Sequence, residues 1–269
     1  FYIIIAIISI NFIIDKILDA FNAKHYKDQL PEELQDVYDE DEYKKSQRYK
    51  ATNYRFGILT STFSFVLTLA FFFLDGFAFV DQLARQITDH NILVTLIFFG
   101  IIMIGSDILT TPFSYYKTFV IEEQFGFNKT TKTTFILDKI KGWLMTIIVG
   151  GVILGIITWF YHTTKDLFWV YAWVLVSVFT IFINLFYSRL IVPIFNKQTP
   201  LEDGSLRNSI SKYAESVGFN LDKIFIIDGS KRSTKANAYF SGFGNEKRVT
   251  LYDTLVNDLD EDEIVAVLA

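Results

Sequence analysis

The sequence of 269 residues contains no cysteine, only three histidines and only four prolines. Without cysteine there is no disulfide framework, no cysteine-based zinc site and no thiol nucleophile. His25, His90 and His162 are far apart and none belongs to an H-E-x-x-H pair, so they do not form a zinc-hydrolase motif. The motifs G-x-S-x-G, Walker A and G-x-G-x-x-G are also absent. With a net charge of −5 and no basic stripe, the sequence predicts no nucleic-acid partner.

Apolar residues make up 51% of the chain and are concentrated in long blocks separated by charged segments. An α-helix rises about 1.5 Å per residue, so roughly 20 apolar residues are needed to cross a bilayer. Five blocks predict transmembrane helices, at about residues 1–14, 56–74, 92–111, 143–161 and 167–187. The first block is too short to span alone and is interpreted as the end of a longer helix. A signal peptide is the alternative, but no basic region precedes the block and no small-residue cleavage site follows it.

Lysine and arginine alternate between the segments that connect these blocks. Eight lie between the first two blocks, five follow the third and ten follow Tyr187, whereas the other two connections contain only Arg85 and Lys165. Because basic residues collect on the cytoplasmic side, loops 15–55 and 112–142 and the C-terminal region are predicted to be cytoplasmic. Asp75 and Asp107 lie in or beside predicted spans, so each is expected to face a cavity or a partner, or to lie at the interface.

The polar segments predict a short helix after Pro31 and a small α/β unit after Tyr187. In that unit, apolar residues repeat with helical period from Leu206 to Val217, and residues 221–227 are typical of a strand. Residues 236–240 and 248–252 predict an antiparallel pair, joined by the glycine-bearing connection 241–247. Carboxylates from Asp258 to Glu263 indicate the start of a further helix. These patterns alone indicate an α-helical polytopic membrane protein with a cytoplasmic α/β domain.

Several runs of residues are similar to those of one known family and occur in the expected order. They are Lys45–Tyr49, Phe119–Thr130, Pro193–Leu201, Ser230–Phe240 and Lys247–Leu255. Over nearly its whole length the chain resembles the type I CAAX prenyl endopeptidases, which are integral membrane zinc metalloproteases. The resemblance implies seven membrane helices around a water-filled chamber, of which this sequence would supply five. Residues 193–269 would then form the N-terminal part of a cytoplasmic α+β metalloprotease domain, with the transmembrane region in residues 1–192.

The resemblance also implies a cofactor, one zinc ion. In the family, the run that resembles Glu261–Ala269 leads into a helix with H-E-x-x-H, so the metal ligands and the catalytic residues are expected beyond Ala269. There the metal would lower the pKa of a bound water toward about 7, and a glutamate would act as general base. The chain as given, with no catalytic residue and no metal ligand of its own, is therefore expected to be inactive.

The resemblance gives a substrate-binding role to one predicted strand, formed by Asn237, Ala238, Tyr239 and Phe240. In the family, the substrate peptide lies along the matching edge strand, where main-chain hydrogen bonds bind it without demanding particular side chains. The Asn237 side chain is expected to bond the substrate backbone; an ordinary hairpin strand is the alternative. Glu122 and Asn128 are further candidates, near the chamber mouth or under the protease domain, with helix capping and loop hydrogen bonds as their alternative roles.

The sequence thus predicts a membrane zinc metalloendopeptidase that cleaves near the C-terminus of a protein or peptide, prenylated or unprenylated. Eukaryotic members commonly carry a histidine near Lys235, whereas Thr234-Lys235-Ala236 is more similar to the bacterial versions. The predicted location is therefore the bacterial inner membrane, or the endoplasmic reticulum if the source is eukaryotic. Two alternatives stay open: a membrane quality-control protease without prenyl specificity, and a non-enzymatic membrane scaffold or transporter.

Overall fold

The structure is a computed structural model that describes residues 1–27, 29–219, 221, 223–244 and 247–269. Its first eight α-helices are α1 (Tyr2–Ala23), α2 (Glu40–Phe73), α3 (Gly76–Ile87), α4 (Asn91–Tyr116), α5 (Lys132–Met145), α6 (Gly151–Thr164), α7 (Phe168–Leu190) and α8 (Val192–Phe195). The remaining elements are β1 (Gln198–Pro200), α9 (Ser205–Ser216), β2 (Lys223–Ile227), β3 (Ala238–Ser241), β4 (Arg248–Tyr252), α10 (Asp253–Asp258) and α11 (Glu261–Leu268). The chain divides into two compact units, Phe1–Asp89 with Ile97–Phe125, and His90–Leu96 with Gly126–Ala269.

Aromatic side chains pack the helices of the first unit together. Phe12 of α1 stacks on Phe65 of α2 with ring centroids 4.2 Å apart, and Phe63 of α2 lies 4.9 Å from Phe113 of α4. Helix α2 begins where the Asp39 carboxylate accepts the N–H groups of Asp41 and Glu42, each at 3.0 Å. The prediction of a helix after Pro31 is wrong, because only the 3-10 turn Glu32–Leu34 forms there.

Helix α3 was not predicted from the sequence, although one of its faces is clearly apolar and buries Val80 and Ala84. On its exposed face Arg85 donates a hydrogen bond to Asp81 at 2.8 Å, and this bond and the carboxylate charge raise the pKa of Arg85. The α2–α3 turn contains exposed Asp75, whereas Asp107 is half-buried within α4.

Three helical segments of the described residues are long and apolar enough to cross a membrane, namely Glu40–Phe73, Asn91–Glu122 and Lys132–Phe195. The predicted spans 143–161 and 167–187 both lie in the third segment, where the 3-10 turn Lys165–Leu167 separates α6 from α7. Helix α1 contains the predicted first span, but Asp15, Lys16 and Asp19 add charge to it. The structure thus confirms a helical membrane-type protein, while the count of five spans stays a prediction.

The third predicted span is longer than the apolar block from which it was inferred. Helix α4 continues through Pro112 to Tyr116, and the π-helical turn Lys117–Glu122 extends it further. A proline within a membrane helix is tolerated when local helical adjustments satisfy the freed backbone groups. Part of the predicted loop 112–142 is therefore helical.

The second unit contains a four-stranded sheet in the order β1-β2-β4-β3. Strand β2 is parallel to β4, whereas β3 pairs with β4 in antiparallel orientation, which confirms the predicted pair. Asp222 of the predicted strand 221–227, and Asn245 and Glu246 of the predicted connection, lie outside the described residues.

One face of the sheet packs on helices α9 and α11. Ile224, Val249 and Leu251 from the strands meet Ile210 of α9 and Ile264 of α11 in the buried core. Helix α9 thereby confirms the predicted helical repeat after Leu206. The last helix begins at Glu261, where Asp260 and Glu263 form a reciprocal capping box.

Candidate functional site

The outer side of β3 is the feature that most directly suggests a binding function. The Tyr252 N–H donates to the Asn237 carbonyl at 3.0 Å, which makes these two residues a hydrogen-bonded pair. Such pairs alternate along an antiparallel ladder, so Ala238 and Phe240 direct their N–H and C=O groups away from β4. Among the described residues, β3 is the last strand on this side of the sheet. The carbonyl of Ala238 and both main-chain groups of Phe240 are therefore placed to pair with an added strand, whereas the Ala238 N–H is bonded to the Asn237 side chain.

Asn237 stands at the start of this edge. Its side chain is exposed, and its Oδ1 accepts the N–H of Ala238 at 2.9 Å. This contact holds the carboxamide beside the edge. An asparagine side chain also has two donors on Nδ2, which are the groups that a peptide carbonyl requires.

A cleft of about 620 Å³ runs between α7 and β3. Its lining is mostly apolar and aromatic: Ile183, Asn184, Tyr187, Phe219, Tyr239, Phe240, Ser241, Gly242, Phe243 and Lys247. The hydroxyls of Ser188 and Ser241 share a hydrogen bond of 2.8 Å, which joins α7 to the end of β3. Phe240 is 53% exposed and packs edge-on against Phe219, with ring centroids 5.7 Å apart.

A second cavity of about 530 Å³ also borders this strand and is more polar. Its lining includes Asp138, Asn196, Arg232, Asn237 and Tyr239. Tyr187 of α7 and Tyr239 of β3 line both cavities, so the largely aromatic cleft and the more polar cavity adjoin at these two elements. Asp138 and Arg232 were not identified from the sequence, because residues so far apart show no common motif.

The two further sequence candidates lie in different units. Asn128 forms an isolated β-bridge with Ser233, in the loop that leads to β3, and its Oδ1 accepts the N–H of Thr130 at 2.8 Å. Glu122 ends the π-helical turn of the first unit, where its carboxylate accepts the Tyr49 hydroxyl at 2.5 Å. Asn128 thus makes a loop hydrogen bond of the kind named in the alternative interpretation, whereas the bond of Glu122 joins its helical turn to α2.

A catalytic zinc ion needs three protein ligands around an open position. Within the described part of the chain, no three His, Cys, Asp or Glu side chains are grouped to hold a metal ion. His25 lies in the turn after α1, His90 precedes α4 and His162 lies in α6. The residues that the structure describes therefore do not fit a catalytic metal, and the chemistry that they offer is that of substrate binding.

The fold and site define a polytopic membrane-type protein with a small α+β domain that presents an edge strand beside a cleft. The family profile for the N-terminal part of CAAX prenyl proteases, described as having five membrane helices, matches residues 20–197. The profile of peptidase family M48 matches residues 200–269. The chain belongs to the M48 family of CAAX prenyl proteases.

Individual relatives agree with this assignment. The chain is 39% identical to CAAX prenyl protease 1 of Saccharomyces cerevisiae, with 89% of this chain and 55% of that protein covered. It is 37% identical to the CAAX prenyl protease 1 homolog of Dictyostelium discoideum, with 89% and 58% covered. The crystal structure of S. mikatae Ste24p has 37% identity and a TM-score of 0.91, over 99% of this chain and 64% of that one. The chain spans little more than half the length of the two curated relatives.

Proposed function

We propose that this chain supplies the membrane helices and the peptide-binding edge of a membrane zinc metalloendopeptidase. The enzyme cleaves near the C-terminus of a protein or peptide, prenylated or unprenylated. Membership of the M48 family supports the reaction class, and the observation that carries the binding role is the outer edge of β3 beside the α7 cleft. The activity is proposed for the whole protein, because the chain spans little more than half of its curated relatives.

In this proposal the substrate binds as an added strand. The outward groups that can pair are the Ala238 carbonyl and the N–H and carbonyl of Phe240. The two residues are about 6.6–6.8 Å apart along a strand, which is the spacing that an extended peptide presents. Main-chain pairing of this kind binds a peptide with little dependence on its sequence. The apolar cleft beside Phe240 and Tyr187 then accepts an apolar group of the substrate.

Asn237 supplies a side-chain contact at the start of the same edge. Because Ala238 N–H holds the carboxamide through Oδ1, the Nδ2 donors can bond a substrate carbonyl without a change of rotamer. Asn128 acts indirectly in the proposal, through the loop before β3. Glu122 is kept as a candidate whose contact with Tyr49 supports a structural role.

The metal centre is proposed to come from residues outside the described ones. The M48 family is a metallopeptidase family that generally uses zinc, yet the described residues offer no suitable ligand group. The role of this chain is therefore to bind and orient the peptide.

The protein is proposed to lie in a membrane with the sheet domain on the cytoplasmic side. The alternation of basic residues between predicted loops supports this orientation. The Thr234-Lys235-Ala236 segment favours a bacterial inner membrane, whereas the relatives named above are eukaryotic and favour the endoplasmic reticulum.

The binding role is tested in the full-length protein with two substitutions of Asn237. Asn237→Ala removes the whole carboxamide, whereas Asn237→Asp keeps an oxygen for the Ala238 N–H but loses the two donors. A hydrogen bond is worth about 0.5–1.5 kcal/mol net, so we expect both variants to raise KM by about 2- to 13-fold at unchanged zinc content. If KM rises only in the alanine variant, Asn237 shapes the edge and does not contact substrate. Unchanged turnover and KM in both variants would remove Asn237 from the site.

The substrate class is tested with one peptide in farnesylated and unprenylated forms. Chelator-sensitive cleavage that strongly prefers the farnesylated form supports a prenyl-dependent protease. Equal rates for the two forms favour a membrane quality-control protease. A full-length protein that binds no zinc and cleaves neither peptide favours a scaffold or transporter.

A further inference from the structure

The loop that leads into β3 is held by two sets of contacts that no sequence motif indicated. The first set centres on Arg232. Its guanidinium donates two hydrogen bonds to the Asp138 carboxylate of α5, at 2.7 and 2.9 Å. It also donates to the Phe195 carbonyl at 2.9 Å and to Asn196 Oδ1 at 3.2 Å. One side chain therefore joins helix α5, the end of α8 and the loop before β3.

The Asp138–Arg232 pair is well suited to fixing the orientation of the loop before β3 relative to helix α5. Both side chains are about one-quarter exposed, at 25% and 26%, so water screens the pair less than it would at the surface. The two parallel N–H···O bonds need the planar fork of arginine, which lysine cannot reproduce. The pair therefore fixes the relative orientation of the two side chains as well as the distance between them.

The second set of contacts comes from residues 126–130. Lys129 N–H and Thr130 Oγ1 both donate to the Arg232 carbonyl, at 3.0 and 3.1 Å. The Thr234 N–H donates to the Phe127 carbonyl at 3.1 Å. These bonds flank the bridge between Asn128 and Ser233 and form a short two-stranded contact. The backbone from Arg232 to Thr234 is thus held by residues 126–130 in addition to the contacts of the Arg232 side chain.

The chain from Thr234 to the edge strand is short and is itself bonded. It passes through Lys235, whose carbonyl accepts the Thr254 hydroxyl at 3.1 Å, and through Ala236 to Asn237. The backbone between Arg232 and Asn237 therefore has little conformational freedom. A displacement of the loop is therefore transmitted to Asn237 and Ala238.

We infer that Asp138 and Arg232 are positioning residues that set the edge of β3 for peptide binding. This inference rests on the proposed function, because it concerns the same edge. The two residues do not touch the substrate; they act through the backbone that carries Asn237. A misplacement of about 1 Å at a binding group can cost up to about 100-fold in rate, so loss of the pair is expected to affect substrate use before it affects folding.

The test compares Asp138→Asn with a control in the full-length, zinc-loaded protein. The asparagine variant keeps the side-chain shape but loses the charge and the second acceptor oxygen. We expect KM for an extended peptide to rise about 10-fold, within the range that such misplacement allows, at unchanged zinc content. A merely structural role would instead lower the folded fraction, so kcat per total protein would fall with KM unchanged.

Lys141→Met is the matched control. Lys141 lies in the same helix and its Nζ donates to the Ile194 carbonyl of α8 at 2.7 Å, so it ties the same two helices without touching the loop. We expect this variant to lose thermal stability while KM stays within twofold of wild type. A rise in KM equal to that of Asp138→Asn would show that any loosening of α5 has this effect, and would overturn the inference.

A milder pair of variants covers the case in which Asp138→Asn does not fold. Thr130→Val removes the hydroxyl bond to the Arg232 carbonyl, whereas Thr130→Ser keeps it. We expect KM to rise severalfold in the valine variant only. If Asn237 variants raise KM while those at Asp138 and Thr130 do not, the positioning inference fails and the proposed function stands. If the wild type cleaves no peptide, the proposed function itself fails.

Discussion

Replacing Phe240 by proline is a direct test of strand addition at β3. Phe240 opposes Val249 in a position whose N–H points away from β4, so proline removes a donor from the free edge without removing a bond of the ladder. Proline is tolerated at such edge positions, and the residue before it already has the extended backbone that proline requires. The substitution therefore removes one proposed substrate contact and leaves the sheet paired.

The size of the effect follows from the contacts of Phe240. A main-chain hydrogen bond contributes about 0.5–1.5 kcal/mol net, which corresponds to about a 2- to 13-fold change in affinity. The substitution also removes a side chain that packs against Phe219 and is 53% exposed. Phe240→Ala loses the same packing but keeps the N–H. The ratio of KM between the proline and alanine variants thus isolates the main-chain donor.

The assay is peptide cleavage by the full-length protein in detergent, with zinc content and melting temperature measured on the same samples. We expect the proline variant to have a KM about 2- to 13-fold above that of the alanine variant, at similar stability. Tyr239→Pro is the opposite control, because it removes a ladder bond to β4 and should destabilise the sheet. Equal KM values for the proline and alanine variants at Phe240 would refute strand addition at this edge.

Three further predictions concern stability. Leu251 is 0% exposed in the sheet core, so Leu251→Ala should reduce the free energy of unfolding by about 2–5 kcal/mol, visible as a lower melting temperature. Tyr49→Phe removes the hydroxyl bond to Glu122 and should cost about 1 kcal/mol with KM unchanged; a raised KM would instead support a substrate role for Glu122. Asp260→Ala breaks the capping box with Glu263 and should cost about 0.5–2 kcal/mol, measured as faster amide exchange in α11.

Elements whose apolar residues recur with a clear period were predicted well from the sequence. The repeat from Leu206 to Val217 became α9, and the two β-rich runs became the antiparallel pair β3 and β4. In both cases burial of one face decides the structure, and the spacing of apolar residues along the sequence shows which face is buried. Helix α3 was missed because its apolar face is short and follows a much stronger membrane block.

The contacts that shape the site were not predictable in this way. Asp138 and Arg232 are 94 positions apart, and each alone is an ordinary charged residue of a polar segment. The parallel pairing of β2 with β4 was also not predicted, because neither strand contains a signal for the other. A single sequence specifies local patterns, whereas such pairs depend on how the elements pack.

The position of β3 depends on both of its ends, and this explains why different substitutions should have different effects. One face of the sheet packs in the core through Val249 and Leu251, so losses there lower stability. The strand contains only Ala238–Ser241, so its edge needs external support. Arg232 supports its beginning through Asp138, and Ser241 supports its end through Ser188 of α7. Asp138 and Arg232 line the more polar cavity and Ser241 lines the α7 cleft, so these contacts border the proposed binding edge and not the core. Their loss should therefore change peptide binding more than folding.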